Sequence, residues 1–212
     1  MAVRLLPKQD TWVRFPSPAL KNMNSKITTL IFPINLTKSA TNLVFIAFSF
    51  LSFLIPFSLG GPQWLVGTIV NVCLFLAAVF LPKKFFLPLI IFPSLGVVGR
   101  GIIFGPFTSF LVYFLPFIWL GNLILILFFK TLYKEIGEKF YYFRYFLSVF
   151  LAAAAKYLFL LTVANLYFKL HFVPAVFLQA MGISQLLTAL AGGIISLIIF
   201  SMYSKPKLDI PK

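Results

Sequence analysis

Between Asn42 and Tyr203, apolar runs long enough to cross a bilayer follow one another with few charges among them. A helix crosses roughly 30 Å of hydrocarbon with about 20 apolar residues. A water-soluble domain of this size would need a polar exterior. With 61% hydrophobic residues, 10% charged residues and a mean hydropathy of +1.01, this composition cannot supply one. An all-α integral membrane protein is therefore expected. Six spans can be read: Asn42–Ser58, Trp64–Leu81, Phe85–Phe104, Phe107–Phe129, Tyr141–Phe168 and Val173–Tyr203. The last two exceed what a crossing requires, so they tilt or project from the membrane. A closed barrel also satisfies its backbone in lipid, but its strands alternate polar and apolar residues. Val72–Leu81 and Leu123–Phe129 do not alternate.

Charge sets the expected orientation. Lys26 and Lys38 precede the first span, and Lys83 and Lys84 fill the second connection. Lys130, Lys134 and Lys139 fill the fourth, with Arg144 at the margin of the next span, and Lys205, Lys207 and Lys212 end the chain. Leu59–Gln63 and Gly105–Pro106 are uncharged, and Lys169–Phe172 carries only Lys169 and His171. Basic loops stay cytoplasmic, so both termini are predicted inside. The formal net charge of +14 then reads as an orientation signal and as contact with anionic lipid. Dispersed over short loops, it does not make a nucleic-acid surface.

Four regions follow: a leader over residues 1–22, a cytoplasmic and interfacial segment over 23–41, the membrane domain over 42–203, and a basic cytoplasmic tail over 204–212. Met1–Leu20 is polar, basic and proline-bearing, without the apolar stretch of a signal peptide. Trp12-Val13-Arg14-Phe15-Pro16 can be encoded by a stretch resembling the T-arm of a transfer RNA gene, which predicts a true start at Met23. A disordered cytoplasmic tail is the alternative. Ile27–Leu36 is apolar but short and contains Pro33, so it is expected at the inner interface.

Polar groups inside the spans are costly and point to sites. Lys156 lies near the middle of the fifth span and Arg100 toward the outer end of the third. The acids Asp10, Glu135, Glu138 and Asp209 all lie in the tails or the fourth connection. A mid-membrane cation without a carboxylate must snorkel, lie against helix-end carbonyls, or meet an anion from outside. In the functional reading Lys156, with Arg100, faces the anionic group of a solute; in the structural one both snorkel and touch carbonyls. Asn71, Asn122, Asn165, Gln179 and Gln185 form a second set. Amides often bridge membrane helices, at about 1 kcal/mol each. Gln185 and Thr188 share a helix face with Ser184 beside it, and Ala189, Gly192 and Gly193 follow. Such small residues predict close packing against another helix or a partner subunit.

The third span carries Pro88, Pro93, Gly96, Gly99 and Gly101. Pro93-Ser94-Leu95-Gly96 predicts a broken third helix, of the kind that offers half-helix ends to a solute. A proline kink is the other reading. No cluster of Cys, His and carboxylate suits a metal, and the single histidine, His171, is in an outer connection. Cys73 is alone in an apolar run and reads as a small buried hydrophobe. There is no phosphate loop ending in Lys-Ser or Lys-Thr, and no pair of membrane carboxylates to relay protons. No enzyme activity, metal or cofactor is expected.

Several segments together resemble a family of small six-helix prokaryotic membrane proteins: Gln63–Ala78 (QWLVGTIVNVCLFLAA), Phe92–Leu95 (FPSL), Pro116–Asn122 (PFIWLGN), Ala155–Leu161 (AKYLFLL) and Gln185–Gly193 (QLLTALAGG). Members often carry the label "iron hydrogenase", yet one cysteine cannot ligate an iron–sulfur cluster that needs about four thiolates. That family in turn resembles the substrate-binding S components of energy-coupling factor vitamin transporters. The resemblance implies a prokaryotic plasma-membrane protein that captures a small, anionic metabolite and works with a second membrane subunit and ATPases. It carries over Asn71, Ser94, Asn122, Lys156, Gln185 and Thr188 as polar site positions. Arg100 is added on its own chemistry. The first helix departs from the S-component pattern of alanines four apart, since Leu51 follows Ala47. The alternative function is a structural or assembly membrane protein without a solute site.

Overall fold

The computed structural model describes residues 36–59, 62–104, 108–135 and 141–203, with only the backbone of residues 102–104, 108, 135, 141 and 203. The helices are α1 (Lys38–Ser58), α2 (Gln63–Phe80), α3 (Phe86–Phe104), α4 (Thr108–Glu135), α5 (Tyr141–Lys169), α6 (Val176–Met181) and α7 (Ile183–Tyr203). A 3₁₀ turn, Lys83–Phe85, leads into α3. Among the described residues six helical stretches are long and apolar enough to cross a bilayer: α1, α2, α3 with its turn, α4, α5, and α6 with α7. The chain is a multi-pass membrane protein. Helix is the economical answer here because each span closes its own backbone hydrogen bonds where no water can. The leader and most of the expected interfacial segment lie outside the described residues, as does the basic tail.

α2 is the hub. It packs against α1, α3, α4 and, most extensively, α7. Its second half, Val70–Val79, is buried apart from Val72, so this half of the helix is enclosed by its neighbours. Around it α4 pairs with α5, α1 with α3, and α5 with α7. α1 is the most peripheral span, with Leu43, Ile46 and Phe50 exposed toward lipid. Its start is capped by Thr37, whose hydroxyl accepts from the Ala40 N–H at 3.2 Å. It begins at Lys38 rather than Asn42, so residues 38–41 join the helix.

The third span is not broken. α3 runs unbroken from Phe86 to Phe104 with Pro93 inside it. Pro88 falls in the first turn, where a missing N–H leaves nothing unsatisfied. Ser94 stays within the helix, its hydroxyl donating to the Ile91 carbonyl at 2.8 Å. The glycines serve packing. A Cβ on Gly96 would run into the Phe53 carbonyl and come within 3.2 Å of Pro56 Cβ on α1. In water a helical glycine also loosens the chain, but in lipid no solvent competes for its carbonyl and the close approach is what remains.

The interruption is in the sixth span. Gly182, at φ −95° and ψ −114°, separates α6 from α7. A Cβ there would strike the Leu178 carbonyl, so this bend tolerates only glycine. α4 is also longer than expected and contains Lys130 and Lys134, which sequence alone places in a connection.

Gly96→Val should cost about 2 kcal/mol or more, because the obstacle is α1 backbone that cannot swing aside. Gly99→Ala should be nearly neutral, since its Cβ would sit 3.5 Å from the Phe57 ring, an ordinary contact. Unfolding of both variants in one detergent checks the difference.

Candidate functional site

Near the middle of the bundle, four helices each contribute one polar side chain to a single cluster. Lys156 of α5 is 3% exposed. About 20 Å of helix lies on either side of it, at ~1.5 Å per residue, so its amine does not reach either surface. Instead it donates to Asn71 Oδ1 of α2 at 3.0 Å and to Asn122 Oδ1 of α4 at 2.9 Å. Lysine can only donate, so both amides must turn their oxygens toward it. Their NH₂ ends then point away. Asn71 Nδ2 donates to Thr188 Oγ1 of α7 at 3.2 Å, and Asn122 Nδ2 to the Ile90 carbonyl of α3 at 3.2 Å. Thr188 passes its proton back to its own helix, at 2.8 Å from the Ser184 carbonyl. Donor direction is thus consistent from Lys156 through Asn71 to α7.

Backbone proximity makes this meeting possible. Gly67 of α2 lies under Thr188, where a Cβ would come within 3.1–3.3 Å of that side chain. One turn further along α7, Gly192 lies against Asn71 Cβ and the α2 backbone at Thr68 and Val72. Gly193 faces the other way, against Val149 of α5. The glycine pair therefore holds α7 between α2 and α5, the helices that carry Asn71 and Lys156.

Three of the expected site residues make their bonds elsewhere. Arg100 Nη1 donates to the Phe57 and Ser58 carbonyls at 3.1 and 3.0 Å, setting a cation on the negative end of α1. Ser94 accepts from the Trp119 indole at 2.6 Å. Gln185 Nε2 lies 3.4 Å from the Ala180 carbonyl, which also accepts from Gln63 at 3.1 Å. Asn165 bonds within its own helix, to the Leu161 carbonyl at 2.8 Å.

Other polar ties have no counterpart in the sequence reading. Lys130 donates to the Ala78 and Leu81 carbonyls at 2.9 Å each, completing the end of α2, and its amine lies over the Phe86 ring. Tyr145 and Ser196 share a 2.7 Å hydrogen bond between α5 and α7. The continuous apolar run into Phe129 was a signal that Lys130 is helical; nothing in sequence pairs Tyr145 with Ser196. Among the described residues no three His, Cys, Asp or Glu side chains stand close enough to hold a metal ion. What the cluster offers a visitor is hydrogen bonds and one amine.

Comparison with known protein families, curated proteins and solved structures finds no match to this chain.

Proposed function

We propose that the chain is a solute-binding subunit of a prokaryotic plasma-membrane transporter, S-component-like, that takes a small anionic metabolite at Lys156. The observation that carries this reading is a mid-membrane amine whose described partners are two neutral amide oxygens. Such partners satisfy hydrogen bonds but not charge, and an arriving anion would supply the missing counter-charge. Two of the three donors of a lysine ammonium are placed on Asn71 and Asn122, which leaves one to give.

Both termini lie in the cytoplasm in this proposal, on the side of the basic connections. The chain carries no phosphate loop, so the energy for uptake comes from a second membrane subunit with ATPases. One observation favours a second reading, a structural or assembly protein: Lys156, Asn71 and Asn122 each already have a protein partner, as a clamp across helices requires.

Mass spectrometry of gently purified protein tests the choice. A small anion and a second membrane subunit that leave with the protein are expected. Protein that repeatedly carries neither would leave the clamp as the better account.

A further inference from the structure

Away from the cluster, the lipid-facing side of α3 and α4 holds a groove of about 580 Å³. Ile90, Leu120, Leu123 and Leu127 form its walls, Trp119 lies along it, and Lys83 stands at one end. The walls are dry. The indole N–H of Trp119, a polar atom among these side chains, is already used on Ser94. From Pro116 to Leu127 the groove follows about 16 Å of helix at ~1.5 Å per residue. Half of a hydrocarbon core of roughly 30 Å is about the same length. The groove is therefore about as long as a single acyl chain is deep.

The surface end is basic. Lys83 and Lys84 are exposed in the turn before α3, with Lys84 over the Phe85 ring. Lys130 approaches the same segment from α4, donating to the Leu81 carbonyl and covering Phe86, which also lines the groove. Basic pockets between membrane helices suit anionic headgroups, and each lysine near the surface strengthens that attraction. The Lys83 stem can lie along the hydrocarbon while its amine stays at the headgroup level.

We infer that this groove is a site for one anionic phospholipid of the adjoining leaflet, its headgroup at Lys83 and Lys84 and one acyl chain between α3 and α4. Charge and shape act together here. A zwitterionic lipid would fit the walls but lack the net charge, and a free anion would meet the lysines but leave the groove empty. The groove adjoins the Lys156 cluster at Ile90, whose carbonyl accepts from Asn122 while its side chain lines the groove, but the lipid site uses none of the cluster's polar side chains and stands whether or not the cluster binds a solute.

The test is native mass spectrometry of the full chain, offered phosphatidylglycerol and phosphatidylcholine with identical acyl chains. Phosphatidylglycerol should be retained about tenfold more. Lys83→Ala, at an exposed position, should reduce that preference about fivefold, the scale of one lysine near a charged surface. Leu123→Trp fills the groove and should lower retention of both lipids, with Leu127→Trp as the substitute if the first variant does not fold. Equal retention of the two lipids by the wild type would overturn the proposal. So would an unchanged preference in Lys83→Ala. Full retention in a folded, groove-filled variant would do the same, because surface lysines alone would then account for the binding.

Discussion

Lys156→Met should abolish retention of a small anion while moving the stability of the bundle by no more than about 1–2 kcal/mol. The two opposing effects are of similar size. A lysine at the centre of a membrane helix costs about 2.5–3.5 kcal/mol on insertion scales. Interhelical hydrogen bonds in membranes return about 0.6–1.7 kcal/mol each, and Lys156 makes two. Methionine fills similar space with a flexible chain and no charge. The measured worth of such hydrogen bonds already includes the cost of leaving Asn71 Oδ1 and Asn122 Oδ1 without their donor, so losing the pair roughly offsets the relief of removing the amine. Packing alone therefore gives little reason for a lysine at this depth, and binding gives one. Unfolding in a single detergent, with ligand retention measured on the same samples, separates the two. A loss above about 4 kcal/mol, with no anion on the wild type, would make the cluster a clamp and remove the basis of the uptake reading.

Gly192→Val is expected to cost about 3 kcal/mol or more. A Cβ at this position would lie 2.8 Å from Asn71 Cβ and 3.0 Å from both Thr68 O and Val72 N. Two of those three atoms are α2 backbone, so no rotamer change relieves the clash. Relief requires α7 to move from α2, and this is the most extensive helix pairing among the described residues. The same movement would draw Thr188 from Asn71 and Asn71 from Lys156. Stability and anion retention should therefore fall together, unlike in Lys156→Met. Gly67→Ala provides the contrast, because the nearest atoms to its new methyl belong to the Thr188 side chain, at 3.1–3.3 Å, and not to backbone. A Gly192→Val protein with the wild-type unfolding midpoint would show that α2 and α7 do not approach so closely.

Helix extent was legible in one dimension wherever hydrophobicity decided it. The expected ends at Ser58, Leu81 and Phe168 fall within a residue of helix ends, whereas the first helix starts four residues before Asn42 and the fourth continues six residues past Phe129. Where proline and glycine were used to place a break, the outcome was different. Pro93-Ser94-Leu95-Gly96 carries two helix-disfavouring residues and stays helical, while Gly182, one residue in an otherwise ordinary stretch, divides the sixth span. Propensities measured in water mislead in this setting. In lipid a glycine's fate depends on whether a neighbouring helix presses against it, and sequence does not show the neighbour. The lysines behaved similarly. Lys130 and Lys156 each stand in or beside an apolar run, yet one completes a helix end and the other joins a buried cluster.

The sequence by itself determined that this chain lives in a bilayer and where its spans run, because transfer into hydrocarbon is nearly additive along a helix and can be summed residue by residue. It also marked Lys156, Asn71, Asn122 and Thr188 as costly groups that need partners. Only the tertiary structure decided which partners they find. The bonds that build the cluster join residues 34, 85 and 117 positions apart. Those pairings follow from how α2, α4, α5 and α7 pack, and packing in lipid depends on shape at contact surfaces that no local pattern records.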